Sequence, residues 1–339
     1  MGRYASALEI YGRFLYASTF GSYLFVPKSK FTERDVPDLT EKVVIVTGGN
    51  AGIGKAICKV VLLEKNAKVY LATRSEARAK AAIAELLVET GKEASWLELD
   101  LSSLQSIEKA ATEFHSKETK LHILFNNAGV LSFSDALTAD GYDITFGTNV
   151  LGHFYFTELL IPALYRASTP EHKSRVINLS SQMGIIGVSA FGSGLDFSTF
   201  KDSPTRRKIF GYTSYSQSKL GNTVHTQEFA RRYGNKIISV SVHPGQISAE
   251  TLDPSSALSQ FLFKLVLYPT PMGAITPLYG GTSPEVENLN GEYLTQWARL
   301  GTPRSNDPVL GKELWTWLEE QVEGREYLVT IRVEVASLN

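Results

Sequence analysis

Short apolar runs recur along the chain, and the stretches between them carry helical spacing or turn residues. KVVIV at 42–46 reads as a buried strand that ends at Thr47 in a glycine-rich turn, and a helix is predicted from about Gly52 to Lys65. KVYLAT at 68–73 follows as a strand, then an alanine-rich helical stretch at 76–89, a strand SWLELD at 95–100 and a helix over 106–116. LHILF at 121–125, RVINLS at 175–180 and KIISVSV at 236–242 supply further strands, each set apart by enough chain for a helical crossover. This alternation predicts an α/β fold: one doubly wound, mostly or wholly parallel central sheet with helices on both faces.

Some stretches break the rhythm. Residues 1–41 precede the first strand as an extension, 42–322 form the main unit, and 323–339 form a tail. Within the main unit, 184–211 is Gly/Ser-rich and then basic, and 255–282 reads as helical. SSALSQFLFKLVLY at 255–268 is apolar enough to cap a cleft, although ordinary helix packing explains it equally. YLVTIRVEV at 327–335 looks strand-like, as an added edge strand or a segment ordered in an oligomer.

Composition narrows the partners. The 339 residues are 43% hydrophobic and 20% charged, enough for a substantial core. Lys plus Arg number 34 against 35 Asp plus Glu, a balance that argues against nucleic acid. A single cysteine, Cys58, excludes an intrachain disulfide and fits a reducing cytoplasm. The six histidines show no metal-ligand spacing, so no metal is expected, and His243 reads as a loop-packing residue. The sequon at Asn178 falls on a buried strand and is read as unglycosylated. No apolar run reaches the roughly 18 residues of a spanning helix, yet 9–26 is aromatic and nearly uncharged. Its Tyr11, Phe14, Leu15, Tyr16, Phe20, Tyr23, Leu24 and Phe25 either pack on the main unit or contact a membrane peripherally.

TGGNAGIG spans Thr47, Gly48, Asn50, Ala51, Gly52, Ile53 and Gly54. A strand, a glycine turn and a helix in that order bring backbone amides and a positive dipole end toward a pyrophosphate. An acid at the end of the second strand would hold a ribose hydroxyl, whereas this chain has Arg74 there, which favours NADP(H), with Lys55 adding positive potential. Asp100 ends the third strand, where it either receives the adenine amino group or caps a helix beginning at Leu101. In YTSYSQSK, Tyr215 and Lys219 stand four apart and share a helix face. That pair reads as a solvated face or as an acid/base, with the ammonium lowering the phenol pKa.

Taken together, TGGNAGIG, NNAG at 126–129, the strand-end Ser181 and YSQSK resemble the short-chain dehydrogenase/reductase family over roughly residues 42–300. DGYDITFGTNVLGHF at 140–154 resembles the retinol dehydrogenase-like and related fungal branch. The resemblance implies a single Rossmann fold and hydride transfer between NADPH and the carbonyl carbon of a relatively apolar ketone or aldehyde, or the reverse alcohol oxidation. It implies Tyr215 as acid/base and Ser181 as polariser of the substrate oxygen, with Ser180 as the competing assignment. Lys219 would tune Tyr215 and hold the nicotinamide ribose, and Asn149 would maintain a water-linked proton path to Lys219. Asn127, Ala128 and Gly129 would line the cofactor cleft. Pro244, Gly245 and Ile247 would shape the nicotinamide pocket, where Ala249, flanked by Ser248 and Thr251, replaces the expected Thr. A redox-neutral epimerase or dehydratase, or a non-catalytic NADP-binding regulator, are the alternatives. Homo-oligomers through long helices are common in that family. In 184–211, Phe191, Leu195, Phe197 and Phe200 would cover an apolar substrate and Thr205-Arg206-Arg207-Lys208 give a positive rim, unless the segment is a plain surface loop. Phe261, Phe263 and Leu265 add a further apolar lid.

Overall fold

Strands β1 (Val43–Thr47), β2 (Lys68–Thr73), β3 (Ser95–Glu98), β4 (Ile123–Asn126), β5 (Ser174–Leu179), β6 (Ile237–Val242), β7 (Tyr293–Thr295) and β8 (Arg299–Leu300) form one sheet in the order β3-β2-β1-β4-β5-β6-β7-β8. This is a computed structural model, and it describes residues 26–63, 65–185, 194–209, 211–247, 267–302 and 306–338. All neighbouring strands pair in parallel except β7 and β8, which are antiparallel. The order reverses between β1 and β4, so the chain winds outward on both sides and a crevice opens at their carboxyl ends.

Every residue of β1, β4, β5 and β6 is buried, which is why these strands read as continuous apolar runs. Alternate side chains supply two layers. Ile45, Tyr70, Leu124 and Val176 face one core with α3 (Leu104–Lys117), α4 (His153–Ala167), α5 (Gly211–Tyr233), α7 (Pro308–Val322) and α8 (Glu326–Leu338). Val44, Val46, Leu71, Phe125 and Ile177 face the other, with α1 (Gly52–Leu63), α2 (Glu76–Thr90) and α6 (Ile275–Thr282). Between β4 and α4 the chain makes a single α-helical turn, Ile144–Phe146, and a π-helix, Gly147–Gly152. Ser75 and Ser103 cap α2 and α3 by accepting the amides of Arg78 and Ser106.

The tail departs from the strand expected at 327–335. It is helix α8, because Leu328, Ile331, Val335 and Leu338 fall on one helical face and pack into the first core, while Val329 and Val333 remain exposed. Arg166 pairs with Glu334, and Arg332 meets Glu319 at 2.7 Å, fixing α8 to α4 and α7. Strands β7 and β8 have three and two residues and left no apolar run to detect.

The inserted segment is also an internal packing element. Phe200 is fully buried and stacks on Phe146 with centroids 3.5 Å apart, and both meet Trp317 of α7 edge-on. Leu195 and Phe197 pack against the same core. Arg206 is buried and donates to Asp143 at 3.1 Å and to the Ala136 carbonyl at 2.7 Å, and Arg207 pairs with Asp202 at 2.7 Å. Two of the three cations expected on a positive rim are therefore neutralised by acids, because Asp143 and Asp202 fold against them. Phe191, the apolar residues Phe261, Phe263 and Leu265, and the aromatic stripe at 11–25 lie outside the described residues. Among the described residues no helix is long and apolar enough to cross a membrane.

Glu158 of α4 is buried beneath α7 and α8, and burial pushes its carboxyl up to about 8. Tyr233 donates to its Oε2 at 3.4 Å. The unfolded chain releases this proton near 4.5 and the native protein only near 8, so stability falls as pH rises through that window. Glu158→Gln is expected to match the native chain near about pH 5 and to melt several degrees higher near about pH 9, read by calorimetry across pH. Equal shifts at both pH values would contradict the assignment.

Candidate active site

The crevice begins where β1 ends. Gly48 and Gly52 adopt the left-handed φ values of +66° and +54°, which a side chain resists. Gly54 tolerates none for a different reason: a Cβ there would lie 2.4 Å from the Gly48 carbonyl and 2.5 Å from Asn127 Nδ2. Helix α1 consequently starts hard against the turn, with its unpaired amides facing the crevice. Space beside Gly52 is open to 4 Å, while Ala51 is exposed and Asn50 and Ile53 half-buried. This cradle, polar in amides and free of side chains at its closest point, fits a dinucleotide pyrophosphate.

Thr47 ties the turn to β4. Its Oγ1 receives the amides of Asn127 and Ala128, each at 2.9 Å, and Asn127 Nδ2 donates to the Thr47 carbonyl at 2.8 Å. Arg74 stands exposed just past β2, directly before the cap of α2. Lys55, by contrast, is ion-paired with Glu85 of α2, so its positive potential is compensated. Asp100 Oδ1 accepts from both the amide (2.9 Å) and the hydroxyl (2.6 Å) of Ser102, a turn-capping arrangement.

On the opposite side of the crevice, α5 carries Tyr215 and Lys219 on one face, with Nζ 5.5 Å from the tyrosine ring centroid. Ser181 lies beside the Tyr215 phenol and favours its ionised form. Ser180 points the other way and is buried, bonding the Lys219 carbonyl at 2.7 Å and Thr223 at 3.0 Å. Lys219 Nζ donates to the Leu179 carbonyl at 2.8 Å. A Cβ on Gly129 would sit 3.4 Å from both Lys219 Nζ and Asn149 Oδ1, so Gly129 lets the NNAG loop approach them. Asn149 lies in the π-helix and is fully buried. Its Nδ2 donates to the Val130 carbonyl (2.9 Å) and Ser218 Oγ (3.0 Å), and its Oδ1 receives the Val130 amide (2.8 Å).

The electrostatics depart from the lowered phenol that the Tyr-Lys spacing predicts. Burial pushes Tyr215 up to about 12, with neighbouring Ser181 opposing it, and burial pulls Lys219 down to about 8. Desolvation outweighs the ammonium here because Lys219 points its Nζ at a strand carbonyl rather than at the phenol oxygen.

After β6, Gly245 has φ +98°, and a Cβ there would lie 2.8 Å from the Trp297 ring. Pro244 is half-buried beside it, and Ile247 converges with Ile53 over Gly273. Ser248, Ala249 and Thr251 lie outside the described residues. His243 is buried, and among the described residues no cluster of acids, histidines and cysteines could hold a metal ion.

Fold and crevice together define a dinucleotide-binding α/β protein with a Ser-Tyr-Lys set at the mouth of its cleft. The short chain dehydrogenase family model matches residues 42–193. A short-chain dehydrogenase/reductase of Armillaria gallica is 53% identical over 304 residues, covering 88% of this chain and 96% of its own. The chain belongs to the short-chain dehydrogenase/reductase family of oxidoreductases. Among solved structures, an uncharacterized protein of Mycobacterium paratuberculosis matches with a TM-score of 0.67 at 25% identity, over 87% of this chain and 98% of its own. The NADPH-bound carbonyl reductase of chicken fatty liver shares the fold, with a TM-score of 0.59 at 19% identity over 79% of this chain and all of its own (100%).

Sequence reasoning overlooked three features of the site. His153 touches both Thr47 and the Asn149 backbone, and its four-residue spacing from Asn149 was the available signal. Ser218 links Asn149 to the Tyr215 carbonyl, to which it donates at 2.7 Å. Phe133 and Tyr212 pair edge-to-face at 5.1 Å, a contact between distant segments that no local pattern announces.

Proposed function

We propose that the protein is an NADP-dependent reductase of relatively apolar ketones or aldehydes, which also runs in reverse as an alcohol dehydrogenase. The observation that carries this reading is Tyr215, with Ser181 beside its phenol and Lys219 on the same helix face 5.5 Å from its ring, at the end of a cradle suited to a dinucleotide. When bound, the dinucleotide supplies or accepts the hydride. The protein does the rest. Ser181 polarises the substrate oxygen, and Tyr215, held as a neutral phenol, donates its proton to that oxygen as negative charge develops. Lys219 and Asn149 resupply the proton, and Lys219 holds the nicotinamide ribose.

Residues Thr47 to Gly54 take the pyrophosphate, Asn127, Ala128 and Gly129 line the cleft, and Pro244, Gly245 and Ile247 flank the nicotinamide. Arg74 takes the 2′-phosphate, with the backbone around Asp100 beside the adenine. Lys55 contributes little, since Glu85 already holds it. An apolar substrate is supported by Leu131 (38% exposed), Phe133 (60%) and Tyr212 (38%), the last one helical turn before Tyr215.

A panel of ketones and aldehydes offered with NADPH and NADH, read by product mass and nucleotide absorbance, tests the reading. Stoichiometric NADPH loss is expected, whereas redox-neutral conversion or tight binding without turnover would reject it. In the same assay Tyr215→Phe should lower turnover by about a hundredfold or more while NADPH binding stays within about threefold. Unchanged turnover would remove Tyr215 from the chemistry. Arg74→Asp should weaken NADPH binding by about tenfold or more and NADH binding far less. Equal losses in titration would sink the 2′-phosphate role. Phe133→Ala should raise KM for bulky apolar carbonyls by about tenfold, with small polar ones little affected. A uniform change across the panel would argue against an apolar wall.

A further inference from the structure

His153 opens helix α4 and is 3% exposed. Burial drops its pKa to about 4, so the ring is neutral and carries one N–H. Nδ1 lies 3.0 Å from the Asn149 carbonyl oxygen, which can only accept, and the proton is therefore on Nδ1. Nε2 is left as an acceptor, 2.9 Å from Thr47 Oγ1. That oxygen already receives the amides of Asn127 and Ala128, and its hydroxyl proton has two acceptors in reach, the Phe125 carbonyl at 3.3 Å and Nε2 at 2.9 Å, of which Nε2 is the nearer. An ordered chain of hydrogen bonds results, from the NNAG amides through Thr47 and His153 to the Asn149 carbonyl.

The backbone explains why a side-chain donor is needed there. The His153 N–H bonds to the Val150 carbonyl instead of following the α-helical pattern back to Asn149. The imidazole N–H of the same residue takes that place. At this π-helical turn the Asn149 carbonyl has a side-chain partner in the imidazole, and His153 gives it one fixed direction.

We propose that His153 is a positioning residue, orienting the Asn149 carbonyl and, through Thr47, registering it against the floor of the cofactor crevice. The proposal rests on the reductase reading, in which that carbonyl belongs to the proton path toward Lys219. His153 acts through Asn149 and needs no contact with substrate.

Two polar replacements separate its contacts. In His153→Asn the amide nitrogen occupies the place of Nδ1 and retains the bond to Asn149 while losing Thr47. In His153→Gln the amide sits near Nε2 and retains Thr47 while leaving the carbonyl without its donor. Turnover of His153→Asn should remain within about threefold of the native enzyme, and kcat of His153→Gln should fall about tenfold or more with a displaced pH profile. NADPH affinity, from fluorescence titration, should change by less than about threefold in both. Equal kcat in the two variants, or losses that merely follow melting temperature, would overturn the proposal. So would failure of both variants to fold, which would make His153 a folding residue.

Amide exchange supplies a readout that needs no turnover. Residues 147–152 should exchange about tenfold faster in His153→Gln than in His153→Asn. Equal protection overturns the positioning role even if the native chain reduces carbonyls. Unequal protection in a chain that reduces none would sustain the positioning role while rejecting the reductase reading.

Discussion

The close approach between Gly54 of α1 and the Gly48 carbonyl at the end of β1 governs much of what surrounds it. Because no side chain fits between them, α1 begins beside the strand end and not beyond it, and its amide-bearing terminus faces the gap between β1 and β4. The same contact reaches Asn127 Nδ2, which donates to the Thr47 carbonyl, so the NNAG loop is held by the turn that it faces. Thr47 then extends the connection to His153 and the π-helix. A single steric limit thus fixes the relative position of three loops that come from distant parts of the sequence.

Burial, rather than local charge, sets the protonation of the catalytic candidates. Tyr215 rises and Lys219 falls for the same reason, the loss of solvent around each charged form. The phenol is consequently held in its proton-donating form, which suits delivery to a carbonyl oxygen. A strand-end carbonyl at Leu179 receives the Lys219 ammonium and also Asn222 Nδ2, at 2.8 and 3.0 Å, anchoring α5 to β5. Ser180 reinforces that anchor from the buried side of the strand and leaves Ser181 to the cleft.

What was legible in the sequence was whatever depends on periodicity and short spacing. The strands from β1 to β6, the first three helices, the glycine turn and the Tyr-Lys face all repeat within a few residues, and the structure has elements at these positions. Long-range compensation left no such trace. Arg206 looked like a surface cation until Asp143, 63 residues away, buried it, and Lys55 looked available until Glu85 of the next helix paired with it. The tail was ambiguous because Leu328, Ile331 and Val335 fit a helix while the β-branched run around them fits a strand. Tertiary contact with α4 and α7 decided in favour of the helix.

The decision has a consequence for packing. Every residue of α4 but Arg166 is buried, with α8 packed along it, and α7 lies in the same way on α5, whose middle turns from Ser214 to Phe229 are almost wholly enclosed. Trp315 of α7 inserts among Phe154, His225 and Phe229, with its ring stacked on His225 at 5.6 Å, so these helices meet through a dry aromatic layer. Helices α4 and α5 are thus internal elements of this chain. Stripping α7 and α8 from them would expose Trp315 and the buried carboxyl of Glu158 to water. The two C-terminal helices are therefore part of the core and not an appendage to it.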